Sequence, residues 1–192
     1  MYFFSFSLIL LSNFSLLLGL SNSQYQLIED AFERLKDDPI NLSNHGYLCE
    51  TLAVEHMMEK YDEKLFSVHS GLVYHGKRGI IGELDLVVTR NDNQKVVMIG
   101  EVKCKSRVFS ALKKAKGQLQ RFVSSIRPSK NKIYFSYPYD YVFKLKDFNH
   151  KYKRSYVSYL GTVKKGFTDE LAMTFESIKI LHRKLVSYSK YH

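Results

Sequence analysis

Apolar positions along this chain follow a helical spacing, then a strand alternation, then a helical spacing again. In "SQYQLIEDAFERLKDD" Leu27, Ile28, Ala31, Phe32 and Leu35 share one helical face, and the run stops before Pro39. "NLSNHGYLCETLAVEHMMEKYDEK" sets Leu48, Leu52, Ala53, Met57 and Tyr61 on a second amphipathic helix, with Ser43 or Asn44 as its N-cap. The period then changes. "LFSVHSGLVYHG" reads as a strand, followed by the Gly-rich turn "GKRGIIG". Residues 82–89 and 95–105 read as two further strands joined by the polar connection "RNDNQ". In "SALKKAKGQLQRFVSSI" Leu112, Ala115, Leu119, Phe122, Val123 and Ile126 return to helical spacing. "NKIYFSYP" is a short strand closed by Pro138. From Thr168 onward Leu171, Phe175, Ile178, Leu181 and Leu185 predict a closing helix. The order helix, three strands, helix, strand predicts an α/β fold with a small mixed sheet flanked by helices.

Length and composition narrow this picture. With 192 residues, 45% hydrophobic and 25% charged, the chain suits one folded domain, spanning 24–192, and excludes wholesale disorder. Residues 1–23 stand apart. "MYFFSFSLILLSNFSLLLGL" is strongly apolar, and no charge precedes Glu29. It reads as a signal h-region lacking a basic start, as a serine-diluted membrane anchor, or as a segment packed on the domain. Cys49 and Cys104 form no CxxC, so they give neither a zinc signature nor a disulfide framework. They fit a reducing compartment, cytoplasm or nucleus, and leave a single bridge open; targeting or membrane association through residues 1–20 is the other localisation.

The strands hold an anomaly. Asp85 lies between Leu84 and Leu86, while Glu101 and Lys103 flank Val102. Charges are costly inside apolar strands unless they are paired or put to use. Alternation places Glu101 and Lys103 on one face, and a suitable hairpin register brings Asp85 to the same face. Two converging carboxylates repel and call for a cation, and oxygen ligands suit Mg²⁺ or Mn²⁺ over zinc. With a lysine alongside to stabilise developing negative charge, these parts suit metal-assisted phosphodiester hydrolysis. A structural ion-pair cluster is the plainer alternative.

Gly82-Glu83-Leu84-Asp85 and Glu101-Val102-Lys103, preceded by Gly46-Tyr47-Leu48-Cys49-Glu50, resemble the PD-(D/E)XK nuclease superfamily over about residues 43–137. Gln118-Leu119-Gln120-Arg121-Phe122 looks like the Gln-x-x-x-aromatic element of some branches. The pattern looks closest to the branch of archaeal Holliday junction resolvases and related small endonucleases. Leu84 stands where the literal motif has proline, and Glu-x-Lys alone is weak; the combination carries the signal. The resemblance implies a restriction-endonuclease-like αβββαβ core. It makes Asp85, Glu101 and Glu50 ligands of Mg²⁺ or Mn²⁺, Lys103 the catalytic lysine, Gln118 a catalytic-site residue, and Glu83 a supporting or substitute ligand. Gln118 is equally readable as a surface amide, a solvated surface glutamate is the alternative for Glu50, and Glu55 and Glu59 are better read so.

The 29 Lys+Arg against 19 Asp+Glu give a net charge of +10, which favours a polyanionic partner. Lys105, Arg107, Lys113, Lys114, Lys116 and Arg121 cluster after the acid-lysine set and form the expected nucleic-acid face, while Lys164, Lys165 and Lys184 belong to the C-terminal part. Tyr134, Tyr137, Tyr139 and Tyr141 are readable as base-stacking residues, more readily as core or edge tyrosines. His69 and His75 lack metal-site companions and are expected to be structural. No Gly-rich phosphate loop or GxSxG elbow appears. The expected function is therefore a Mg-dependent nuclease with nucleic acid, DNA first, as partner, and with room for a homodimer. A non-catalytic nucleic-acid-binding protein and an RNA endonuclease are the alternatives.

Overall fold

The computed structural model describes residues 20–127, 132–137, 141–149 and 151–191. Most of the apolar N-terminal segment and Tyr139 lie outside the described residues. In chain order the elements are α1 (Asn22–Leu35), α2 (His45–Lys60), β1 (Phe66–His69), β2 (Leu72–Gly76), β3 (Gly79–Leu84), β4 (Leu86–Arg90) and β5 (Val96–Val102). Then come α3 (Val108–Ile126), β6 (Tyr134–Ser136), β7 (Lys153–Ser158), β8 (Asp169–Glu170) and α4 (Phe175–Tyr188). The chain divides into two compact units, the first up to Leu48 together with Ala172 onward, the second Cys49–Leu171.

In the first unit α1 packs on α4. Ser21 caps α1 by accepting from the Gln24 amide at 3.3 Å, and the expected face, Ile28, Ala31, Phe32 and Leu35, is buried. Thr174 caps α4 in the same way from the Ser177 amide, and Ile178, Leu181 and Leu185 are buried. The buried Gln24 side chain is satisfied from the α4 end. Its Nε2 donates to the Ala172 carbonyl at 2.9 Å, and its Oε1 accepts from the Thr174 amide and the Ser177 hydroxyl. A buried amide so engaged fixes the two helices in one register.

The second unit holds two sheets instead of the single small sheet the pattern suggested. The larger runs β1-β4-β5-β7-β8; β1, β4 and β5 pair antiparallel, whereas β5, β7 and β8 pair parallel. The smaller runs β3-β2-β6. Strand β5 is central, with partners on both edges, which is why "VVMIG" is nearly all apolar. Helix α3 connects the larger sheet to β6 and packs on β5, β3 and β7 with Ala115, Leu119 and Phe122 buried.

Two expected strands are broken. Gly71, at φ 73°, divides 65–76 into β1 and β2, which join different sheets. Asp85 divides 82–89 in the same way, β3 pairing with β2 and β4 with β1 and β5. The Gly-rich turn shrinks to Lys77–Arg78, and Gly79 already belongs to β3. Strands β7 and β8 lie beyond the expected core limit of 137, and the closing helix begins at Phe175, after β8. Among the described residues no helix is long and apolar enough to cross a membrane.

Candidate functional site

The break at Asp85 builds the site. The antiparallel ladder of β4 and β5 ends at Leu86↔Gly100, so the next amide of β5 has no backbone partner in β4. Asp85 supplies one: the Val102 amide donates to its Oδ2 at 2.8 Å. Lys103 Nζ donates to the same Oδ2 at 2.7 Å and to Glu101 Oε2 at 2.9 Å. The expected convergence of Asp85, Glu101 and Lys103 is therefore present. Glu101 is fully buried at the end of the central strand, and its Oε1 has no hydrogen-bond partner. A buried carboxylate oxygen without a partner is costly and marks an unmet demand for a proton or cation.

Electrostatics point the same way. Burial, then the Asp85 charge, push the Glu101 carboxyl up to about 8 against the pull of Lys103. Glu50, on α2, is pushed up to about 7 by burial and by Asp85, again opposed by Lys103. Glu83 is exposed along its strand but also raised, by partial burial and then Asp85. Burial pulls the Lys103 amine down, yet Asp85 and Glu101 hold it above its ordinary value. One amine serves several carboxyl groups, so the cluster is short of positive charge.

These residues suit a hard, oxygen-liganded cation in part. Asp85 and Glu101 bring two carboxylates together, and the unpartnered Oε1 is a free donor atom. Among the described residues no group of three or more His, Cys, Asp or Glu is gathered to hold a metal ion. Mg²⁺ tolerates that, since it commonly takes one or two carboxylates and fills its shell with water and phosphate oxygens. Gln118 is partly buried on α3, and its Oε1 accepts no hydrogen bond.

The sequence left the cysteines open, and here Cys49 and Cys104 form a disulfide with Cα atoms 6.3 Å apart. Cys49 immediately precedes Glu50 and Cys104 immediately follows Lys103, so the bridge ties α2 to the end of β5 at the site.

Lys105, Arg107, Lys113, Lys114, Lys116 and Arg121 are all exposed, as a phosphate-binding face requires. Lys165, from the C-terminal part, approaches the same region. The Lys103 amide donates to the Val157 carbonyl, the Ser158 hydroxyl to the Lys103 carbonyl, and the Tyr159 hydroxyl to the Lys105 carbonyl. The loop that follows β7 therefore lies against residues 103–112, and the Lys165 amine stands 6.0 Å from the Phe109 ring centroid. Lys184 belongs to the other unit, where it pairs with Glu29.

Other polar groups prove structural. His69 is buried among Tyr137, Tyr141 and Phe143, bonds Thr89 Oγ1, and is pushed by burial down to about 4. His75 bonds the Ser136 hydroxyl at 2.6 Å. Tyr137 and Tyr141 pack on the core, as the plainer reading had it. Sequence reasoning missed Asp169, which is buried on β8 and takes hydrogen bonds from Lys60 at both oxygens and pairs with His56 at 2.9 Å. Nothing in its short polar strand signals those partners.

Stability should fall with rising pH. Glu50 and Glu101 sit above their ordinary value of 4.5, so the folded chain retains protons that the unfolded chain releases. That contribution is complete at acid pH and disappears as pH climbs through about 7 and about 8. Thermal midpoints should drop between about pH 4.5 and about pH 8. A flat profile would remove the carboxyl cluster as its cause.

No family model, no curated protein and no solved structure matches this chain.

Proposed function

We propose that the protein is a metal-dependent nuclease acting on nucleic acid, DNA in the first instance, through Asp85, Glu101, Lys103 and Glu50, on a restriction-endonuclease-like core. The observation that carries this reading is the pairing of two buried carboxylates with one lysine, leaving Glu101 Oε1 without a partner. Asp85 and Glu101, with Glu50 at their border, are the residues to hold Mg²⁺ or Mn²⁺. A bound divalent ion would supply charge neutralisation at the phosphoryl group and make water a better nucleophile. Lys103 is placed to stabilise negative charge developing on the phosphate. Glu50, whose carboxyl is raised by burial and by the Asp85 charge, would reach the ion directly or through a water. Lys105, Arg107, Lys113, Lys114, Lys116 and Arg121 hold flanking phosphates.

One observation favours a second reading. The Lys103 amine already engages both carboxylates, as it would in an ion-pair cluster of a non-catalytic nucleic-acid-binding protein. The deciding experiment is a cleavage panel with Mg²⁺ and Mn²⁺ over single-stranded, duplex and branched DNA and over RNA. Cleavage that requires the metal and stops in excess chelator supports the nuclease. RNA as the sole cleaved substrate selects an RNA endonuclease, and binding without cleavage selects the binding protein.

A further inference from the structure

Phe109 lies in the first turn of α3 and is 71% exposed. It stands at the carboxyl end of the parallel strands β5 and β7, where open α/β sheets receive their ligands. Exposed cations neighbour it in sequence, Lys105, Arg107 and Lys113, and the facing loop carries the exposed Lys164 and brings the Lys165 amine to 6.0 Å from its ring centroid. The same loop exposes Leu160 and Val163. Glu170, which could neutralise these cations, is turned to the loop itself, its Oε2 accepting from the Gly161 and Val163 amides at 2.8 and 3.0 Å. Thr162 further fixes the loop by donating its hydroxyl to the Tyr159 carbonyl at 2.7 Å.

We propose that Phe109 is a stacking platform for an unpaired base, and that the substrate is single-stranded nucleic acid or carries a single-stranded segment beside Lys103. This rests on the nucleic-acid reading of the site and is independent of hydrolysis. An exposed ring stacks on any base whose face is free, while the surrounding lysines and arginine neutralise the intervening phosphates. Paired bases in a duplex have their faces covered and offer the ring nothing. Lys165 Nζ lies over one face of the ring, 6.0 Å from its centroid, where it can follow the adjoining phosphate while a base takes the other face.

The chain contains no tryptophan, so Phe109→Trp introduces a single reporter at an exposed position. In chelator, a single-stranded oligonucleotide of about 12 nucleotides should quench the indole emission, and a duplex of equal length should leave it nearly unchanged. Phe109→Ala should weaken single-strand binding about 5- to 150-fold and leave duplex binding unchanged. Lys113→Glu should weaken both. Equal losses on both strand forms, or none on either, overturn the platform while the nucleic-acid reading stands. Quenching by an acidic peptide with no response to oligonucleotides overturns it in favour of a protein partner. Binding of neither nucleic acid by the unaltered protein overturns the underlying reading as well.

Discussion

Replacing Lys103 by alanine is expected to abolish cleavage and to destabilise the fold by about 3–5 kcal/mol. The amine lies 2.7 Å from Asp85 and 2.9 Å from Glu101, with its own side chain 11% exposed and that of Glu101 fully buried. Above about pH 8, where Glu101 is ionised, its removal leaves two inward-facing carboxylates without compensating charge, the case in which deleting one partner of a buried ion pair costs most. On the proposed nuclease reading the activity loss should exceed about 10²-fold, because a donor that stabilises developing charge is lost. Adding Glu101→Gln to Lys103→Ala should recover stability, since the buried charge disappears, without recovering cleavage. Single-turnover cleavage and chemical denaturation read the two effects separately. Cleavage that survives Lys103→Ala would refute the catalytic role, and unchanged stability would refute the electrostatic account of the cluster.

Opening the Cys49–Cys104 bridge is expected to cost about 4 kcal/mol, from the entropy of closing a loop with a sequence separation of 55. Reduction, Cys49→Ser, Cys104→Ser and the double substitution should all give the same loss, because each removes the same single constraint. Denaturation curves with and without reductant, with thiol titration to confirm reduction, make the measurement. Full reduction without a shift in midpoint would show that the bridge contributes nothing. Because Cys49 adjoins Glu50 and Cys104 adjoins Lys103, loss of the bridge should also loosen the site, seen as faster amide exchange at both segments.

The apolar faces of α1, α3 and α4 were legible because helical periodicity is written in adjacent residues: Ile28, Phe32 and Leu35 in α1, Leu112, Leu119 and Phe122 in α3, Ile178, Leu181 and Leu185 in α4 are all buried. The common side of Glu101 and Lys103 followed likewise from strand alternation, and both now meet through one hydrogen bond. The tertiary structure decided what depends on residues distant in sequence. Nothing in 82–89 announces that Asp85 leaves one sheet and enters another, since the break is set by which partners Leu84 and Leu86 find. Strand β7, "KRSYVS", lacks a clear apolar alternation and is a strand because β5 and β8 pair with it on either side. Through that pairing the loop bearing Lys164 and Lys165 comes to Phe109, and the bridge to Cys104 sets Cys49 beside the site. Local pattern determines which face of a segment is apolar, whereas partner and register are chosen by packing the whole chain, and it is partner and register that gather Asp85, Glu101, Lys103 and the surrounding cations.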